Sequence, residues 1–528
     1  MNKNILIGGA WPYANSDLHL GHIAGLISGD ILARYYRLKG DNVMFVSGTD
    51  CHGTPITERA KKEKRSPKEI SEFYHNRDKE TLENFDFSYD FYTNTDTDFH
   101  KNEAMKIFKK IYDNGYIYER IEPQPFCEKC GKFLSDREIQ IVCPKCGKET
   151  KAEQCDNCGY VPTIEDMKKG VCLTCSSNTV LKDNKNLYLK LSKFQTDIEE
   201  YLKENGKFWR VNAKNETEKY LRQGLVDRAV TRDLDWGVDI PVKGYESKKM
   251  YVWIEAVLGY ITASMKKCEE IGENWEKFWK EEYKPLIYMV HGKDNIVFHS
   301  IIFNALLLAL KENFHLVDMI VSSEYLNIND EKISKSKGNG LPALELVEKY
   351  GVNVLRFHLI NNGPEKKDSN FTEEALIATN NGELLNKFGN LVNRTLKFKG
   401  LEYLPAGHLD EKIKSKIEQT YELVGKNIEK LEFKEATNKA MELVEMANKY
   451  YDEEKPWIQS KENLEMFNNT IYTCATIIAN LANIFEPFMP SVCKKIREYL
   501  KIEEISWEFI EPEVGTILEN IQPLFTRM

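Results

Sequence analysis

Two short clusters carry the residue types that handle phosphate. His19-Leu20-Gly21-His22 sets two imidazoles three residues apart, a spacing that puts both on one face of a helix. At a helix start, unpaired N–H groups and the positive dipole end would add to them, and Gly21 removes side-chain bulk so that a ligand can approach the backbone. Such a pair can clamp phosphates; taken alone, it fits a surface pair or a metal pair equally well. The second cluster, Lys332-Ile333-Ser334-Lys335-Ser336-Lys337-Gly338, interleaves three lysines with serines and ends in glycine. Standing alone it reads as a solvated basic loop. Beside the histidines, its ammonium and hydroxyl groups are those that neutralise a leaving pyrophosphate.

A third pattern suits metal. Of 12 cysteines, eight form the pairs Cys127/Cys130, Cys143/Cys146, Cys155/Cys158 and Cys172/Cys175, mostly followed by glycine. Reduced thiols in that pattern read as zinc ligands rather than disulfides. Two tetrahedral four-cysteine sites would use all eight; spacing alone allows nested or sequential pairing. Cys51, Cys268, Cys474 and Cys493 stand singly, as ordinary buried thiols do.

The elements that must position these clusters follow from the hydrophobic pattern. Ile5–Gly9 reads as a strand, Trp11–Asp17 as turn chemistry, Leu20–Lys39 as a helix stopped by Gly40, and Val43–Val46 as a second strand. Strands flanking a crossover helix predict a parallel sheet with ligands beyond its carboxyl edge, where Ala10–His22 and Gly48–His52 would meet. The pattern breaks near Glu119, at the cysteine segment. Sheet signals return at Met250–Ile254, Leu286–Val290 and Asp318–Val321, with an apolar helix from Ile296. After Phe371 glycine becomes rare and charged helical patterns run to about Leu500, as in a helix bundle. The expected fold is α/β: a Rossmann-like parallel-sheet catalytic domain split by a zinc-knuckle insertion, then a C-terminal α-helical bundle.

Composition agrees with this layout. With 528 residues, 42% hydrophobic and 29% charged, the chain can pack several cores, which excludes global disorder. Ile296–Leu310 is interrupted by His299, Ser300 and Asn304 and is short for a bilayer span, and no signal-peptide core is evident. The expectation is a cytoplasmic protein with no membrane partner. A net charge of −9 argues against non-specific coating of nucleic acid but not against a local basic groove.

The two phosphate clusters together resemble the signature pair of class I aminoacyl-tRNA synthetases, with Ile333 standing where that family's loop has Met. Ala10–Asn15, Gly48–Pro55, Tyr251–Ala256, Gly292–His299 and the cysteine knuckles resemble the methionyl-tRNA synthetase family within that class, over nearly the whole chain. The resemblance implies ATP-dependent activation of methionine, assisted by Mg2+, and its transfer to tRNA(Met). It implies that His19, His22, Lys332 and Lys335 bind ATP phosphates with Ser334 and Ser336 in the loop, and that Asp50 holds the methionine ammonium. Trp11, Tyr13, Trp253, Ala256, Tyr260 and His299 would line the side-chain pocket; an aromatic wall suits a polarisable thioether. Gly25, Glu255, Val257 and Asn295 depart from many relatives.

The same resemblance implies nested zinc pairing, Cys143, Cys146, Cys155 and Cys158 on one Zn2+ and Cys127, Cys130, Cys172 and Cys175 on the other, both structural. It divides the chain into a first catalytic half (1–117), the insertion (118–248), a second catalytic half (249–322), a stem-contact region (323–370) and an anticodon-binding domain (371–528). On a helix over about Leu384–Phe398, Leu385, Phe388, Val392 and Leu396 form an apolar stripe, and Asn390, Arg394 and Trp457 would read the anticodon. The insertion is mostly knuckle sequence, which leaves no room for a large editing domain. Ending near Met528, the chain lacks the extra dimerising domain of some relatives, so a monomer is expected.

Overall fold

The computed structural model describes residues 2–152, 155, 157, 158, 160, 162–332 and 342–528, with backbone alone at 137 and 332. Its centre is a five-stranded parallel sheet. β1 (Asn4–Gly9) lies in the middle, with β2 (Asn42–Thr49) and then β3 (Phe91–Asn94) on one side. On the other side run the strands Leu286–Gly292 and Met319–Ser323. Both faces are covered, so these strands are continuous apolar runs rather than alternating ones. Helix α1 (Leu20–Leu38) packs on one face and the helix Val252–Ile271 on the other. The direction of strand addition reverses at β1, which opens a crevice at the carboxyl edge of the sheet.

Downstream of β2 come α2 (Thr54–Glu63) and α3 (Pro67–Asn84), a helical hairpin leading to β3. The insertion leaves the core as a long antiparallel ribbon, Ile117–Cys127 paired with Val180–Leu189. At its far end Ile139–Val142, Glu149–Lys151 and Val171–Cys172 form a small sheet around the cysteines. A second small sheet, Leu326–Ile328 with Glu331–Lys332 and Ser369–Phe371, leads into the helices that run from Glu373 to Leu500. These helices share one apolar core with α1. Arg356, fully buried, fastens the joint: it donates to Asp30 on α1 at 2.6 Å and to the carbonyls of Phe85, Pro487 and Phe488.

Two local expectations are corrected. Met250–Ile254 is not a strand: only Lys249–Met250 pairs, with Thr231–Arg232, and Trp253 lies in the first turn of the helix Val252–Ile271. A short apolar run fits either state; here strong helix formers such as Ala256, Leu258, Ala263 and Met265 extend it as helix. The helix expected over Leu384–Phe398 is π-helical over Asn380–Gly389 before turning α-helical over Asn390–Leu396. Leu384 is fully buried with Phe388, Val392 and Leu396, and Leu385 packs partly buried against the same core. The helical segment Lys293–Leu310 is long and apolar enough to cross a membrane by length and composition, and 72% of it is buried in this fold.

Candidate active site

The histidine pair opens α1. His19 is the N-cap: its Nδ1 accepts from the Gly21 N–H at 3.1 Å, and its own N–H donates to His22 Nδ1 at 3.1 Å. The two rings stack with centroids 3.8 Å apart. With both Nδ1 atoms accepting, the neutral tautomers carry their protons on Nε2, so each ring is a hydrogen-bond donor at the helix start. That arrangement suits an anion. Gly25, one turn on, faces the carboxyl edge: a Cβ there would lie 3.5 Å from Ser323 Oγ and 3.7 Å from the Gly292 nitrogen.

The segments that flank the basic loop are both held by backbone pairing, and the downstream one lies at this pair. Lys332 pairs through its backbone with Asn327. On the far side, Pro342 bridges His19 and the Ala343 N–H donates to Leu18 O at 2.8 Å. Ser334, Lys335 and Ser336, and the side chain of Lys332, lie outside the described residues.

Across the crevice, Tyr13 bridges Asp50, with Ala14 N donating to Asp50 O and Asp50 N to Pro12 O. The Asp50 carboxylate is 2% exposed and accepts from the His52 N–H at 3.1 Å. Burial, reinforced by the nearby Glu255 carboxylate, holds its pKa well above the usual carboxylate value. His52 sits between two acids, its Nδ1 2.6 Å from Glu255 Oε1 and its Nε2 3.4 Å from Asp96 Oδ1. Burial alone would depress the imidazole; Glu255 and the hydrogen bonds to both acids instead raise its pKa to about 10. Lys101 neutralises Asp96 at 3.0 Å. Carboxylates outnumber cations here, since Lys101 also pairs with Asp98 at 3.6 Å, and an amino acid's ammonium would relieve that excess at Asp50.

An aromatic pocket adjoins this charge cluster. Trp11 lies flat between Gly48 and Gly259, where a Cβ would come within 2.4 Å and 2.7 Å of the indole. Its ring meets Tyr260 edge-on at 6.2 Å. Tyr13 meets Trp253 at 5.9 Å, and Trp253 stacks on Phe298 at 4.3 Å. Ala256, on the same helix as Trp253 and Tyr260, is buried. His299 donates from Nδ1 to Asn295 O at 2.8 Å and accepts the Tyr260 hydroxyl at Nε2, also 2.8 Å. Burial pushes its pKa down to about 4, so it is neutral. An uncharged, aromatic, polarisable pocket beside a carboxylate fits an α-amino acid with an apolar or thioether side chain. A cavity of about 650 Å3 opens beyond Tyr13 and Trp253, between Thr54 and Pro55 on one side and Phe133 and Ser135 of the insertion on the other.

Of the departures, Glu255 belongs to the charge cluster, Asn295 contributes only its carbonyl, and Val257 is core. His52, Asp96 and Phe298 are site residues that the sequence reading did not single out. His52 was within reach, since it lies in the quoted Gly48–Pro55 motif.

The cysteines resolve as two nested clusters: Cys127, Cys130, Cys172 and Cys175; and Cys143, Cys146, Cys155 and Cys158. Within each, the sulfurs all lie within 4.8 Å of one another. Separations of 3.4 Å (Cys127–Cys175), 3.9 Å (Cys130–Cys172) and 3.6 Å (Cys143–Cys158 and Cys146–Cys155) suit tetrahedral thiolate ligation, for which Zn–S bonds of about 2.3 Å set sulfurs a little under 4 Å apart. Gly131, Gly147 and Ser176, each following the second cysteine of its pair, take positive φ and close the knuckle turns. The donor sets fit zinc, with no position left for catalysis.

In the helical region, Arg394 donates to Asp452 at 2.6 Å and to Asn448, and lies 4.1 Å from the Tyr451 ring centroid. Tyr451 in turn neighbours Trp457, which is 46% exposed. Asn390 is exposed one turn before Arg394. The three residues expected to read an anticodon thus share one surface.

Residues 5–396 match the family model for tRNA synthetases class I (M), and residues 410–517 that for the anticodon-binding domain of tRNA ligase. The chain is 45% identical over 528 residues to methionine–tRNA ligase 1 of Alkaliphilus oremlandii and 44% identical over 531 residues to methionine–tRNA ligase of Bacillus mycoides; each alignment covers 99% of this chain and 97% of the relative. The fold matches that of Mycobacterium tuberculosis methionyl-tRNA synthetase in complex with methionyl-adenylate, with a TM-score of 0.81 at 22% identity over 99% of this chain and 100% of that one. Sheet order, histidine N-cap and nested knuckles therefore occur in a chain that belongs to the class I aminoacyl-tRNA synthetase family, in its methionine–tRNA ligase branch.

Proposed function

We propose that the protein charges tRNA(Met), initiator and elongator, with methionine at the expense of ATP. The observation that carries this reading is the excess of carboxylate over cation around the buried Asp50, Glu255 and Asp96, beside the neutral aromatic pocket and on the same sheet edge as the histidine donors. Asp50 holds the α-ammonium; Trp11, Tyr13, Trp253, Ala256, Tyr260 and His299 enclose the thioether. A methionine carboxylate oxygen attacks the α-phosphorus of ATP. The bond from that phosphorus to the bridging oxygen breaks, and pyrophosphate leaves; Mg2+ bound with ATP would offset its charge. The terminal ribose 2′-hydroxyl of tRNA then attacks the carbonyl carbon, and AMP leaves.

No covalent enzyme intermediate is needed; the work is positioning and charge stabilisation. His19 and His22 donate to phosphate oxygens, and Lys332 and Lys335, with Ser334 and Ser336, stabilise the charge of the leaving pyrophosphate. Asn390, Arg394 and Trp457 read anticodon bases, and the two zinc sites hold the insertion together. A pocket of fixed length rejects near-isosteres by only a few kcal/mol, and methionine's length and sulfur separate it from its competitors without an editing domain. The domain division set out from the sequence, a cytoplasmic location and a monomer complete the reading; a monomer would run at the chain mass of 61.3 kDa in solution.

The deciding experiment is amino-acid-dependent ATP–pyrophosphate exchange across all twenty amino acids, without tRNA. Exchange with methionine alone is expected. Exchange with a different amino acid would keep the fold and overturn the specificity.

A further inference from the structure

The turn between α2 and α3 is basic in an acidic chain. From Lys61 to Lys68 it carries Lys61, Lys62, Lys64, Arg65 and Lys68 against one acid, Glu63, while the whole chain has net charge −9. All five basic residues are exposed. Two of the neighbouring acids are engaged locally, Glu63 with Arg59 and Arg65 and Glu69 in a capping box on Ser66, while Glu58 and Glu72 lie one helical turn from the lysines. Lys61, Lys62, Lys64 and Lys68 have no ion pair among those described. The turn is a built one, with Lys64 at positive φ ending α2 and Ser66-Pro67 starting α3.

Beside it on α3, Phe73 is 44% exposed. The guanidinium carbons of Arg65 and Arg77 lie 5.3 Å and 6.0 Å from its ring centroid. An exposed ring flanked by arginines, next to unpaired lysines, combines base stacking with phosphate attraction, the pairing used to hold unpaired nucleotides.

The hairpin also stands at the rim of the site. α2 starts at Thr54, directly after the Asp50–Gly53 stretch, and Thr54 and Pro55 line the cavity beyond Tyr13 and Trp253. Its 10 residues carry the basic turn roughly 15 Å outward. On the other flank, Arg77 is bonded to Asp17, two residues before His19. α3 also packs against the helix Ala343–Tyr350 that follows the basic loop. An RNA strand whose 3′ ribose reaches an amino acid held by its ammonium at Asp50 comes within reach of this rim.

We propose that the α2–α3 hairpin, through Lys61, Lys62, Lys64, Lys68 and Phe73, binds the unpaired 3′ strand of the acceptor arm of the tRNA substrate. The proposal rests on the functional reading above and names a surface that reading does not use. Its test compares the parent with K61A/K62A/K64A/K68A and with Phe73→Ala and Phe73→Tyr. Affinity is measured by fluorescence anisotropy, for intact tRNA(Met) and for the same tRNA trimmed of its unpaired 3′ nucleotides.

The quadruple variant is expected to bind intact tRNA about tenfold more weakly, with a shallower dependence of log Kd on log salt. Phe73→Ala is expected to weaken binding about fivefold or more, with Phe73→Tyr restoring it. Trimmed tRNA is expected to bind parent and variants alike, and methionine-dependent exchange without tRNA to stay within twofold of the parent. Unchanged affinity for intact tRNA, or an equal loss with trimmed tRNA, overturns the proposal. Anisotropy needs no catalysis, so a parent without methionine-dependent exchange sinks the functional reading separately.

Discussion

Glu255 and His52 meet 203 residues apart in sequence, with 2.6 Å between Oε1 and Nδ1, and the His52 N–H in turn rests on the Asp50 carboxylate. Glu255 Oε2 is buried with no hydrogen-bond partner among the described residues. This charge cluster is therefore built from a loop after β2 and the first turn of the helix Val252–Ile271, and neither segment makes it alone.

Asp50 should set the acid limit of methionine use. Burial and the Glu255 charge raise its pKa, so as pH falls through that raised value the carboxylate protonates and loses the ammonium. kcat/KM for methionine in the exchange assay should therefore fall on the acid side with an inflection above the ordinary aspartate range of about 3.9. Asp50→Asn should abolish that limb and cost about 3–5 kcal/mol in kcat/KM for methionine, with KM for ATP changed only a few-fold. A parental methionine KM in Asp50→Asn contradicts the assignment.

His52 should tie stability to the alkaline range. Its folded pKa of about 10 lies above the unfolded value of 6.5. Its contribution is thus complete below pH 6.5 and lost as pH rises towards 10. Thermal unfolding of the parent should show Tm declining over that window, and Glu255→Gln, which removes the leading cause of the upward shift, should flatten the decline. An identical Tm profile in both proteins would remove the ion pair from the account.

How much of this was legible depends on sequence range. The histidine N-cap, both strands around α1 and the thiol pairs are local patterns, and each stands where spacing placed it. Trp253 was misplaced because a five-residue apolar run carries too little periodicity to separate strand from helix. Leu384 was missed because a π turn breaks the 3.6-residue period that assigns faces. Nested zinc pairing needed the Ile117–Cys127 and Val180–Leu189 ribbon, which brings Cys127 beside Cys172–Cys175 and which spacing cannot report. The His52–Glu255 contact is of the same kind: its residues lay in quoted motifs, but their meeting depends on how two halves of a split sheet close.

The two zinc sites should differ in reach. Cys127 and Cys172 sit where the ribbon ends, so the outer site clamps both strands of the insertion, whereas the inner site closes a loop within it. Metal analysis should find about two zinc ions per chain in the parent and one in Cys127→Ser or Cys143→Ser. Hydrogen exchange should rise across 117–189 in Cys127→Ser but only within about 139–162 in Cys143→Ser. Equal, local effects from both would mean the outer site does not brace the ribbon.

Arg356 should hold the helical region to the catalytic core. Arg356→Met strips a buried partner from Asp30 and leaves three carbonyls without their donor, a change expected to cost about 3–5 kcal/mol in urea unfolding. Although burial opposes it, the Arg34 and Arg356 charges and the Ser88 hydroxyl hold Asp30 down at about 2, against 3.8 unfolded. That contribution is present above pH 3.8 and lost as pH falls towards 2, so the gap between parent and Arg356→Met should narrow under acid. A gap of unchanged size at pH 2 would assign the loss to the carbonyl bonds and packing rather than to Asp30.

Arg394 and Trp457 should separate the two half-reactions. Arg394 is held by Asp452, Asn448 and the Tyr451 ring, so its guanidinium is already oriented before RNA arrives. Trp457 leaves nearly half its surface exposed next to that ring, as a stacking platform for an unpaired base would. Trp457→Ala should cost about 1–3 kcal/mol of tRNA binding, seen as a drop in kcat/KM for tRNA with methionine-dependent exchange unchanged. Arg394→Lys keeps the charge but loses the fork to Asp452 and Asn448, so it should fall close to Arg394→Ala rather than to the parent. Charging of an anticodon-mutated tRNA then decides the role: if Arg394→Ala lowers charging of native and anticodon-mutated tRNA by the same factor, the residue supports the helical scaffold and reads no base.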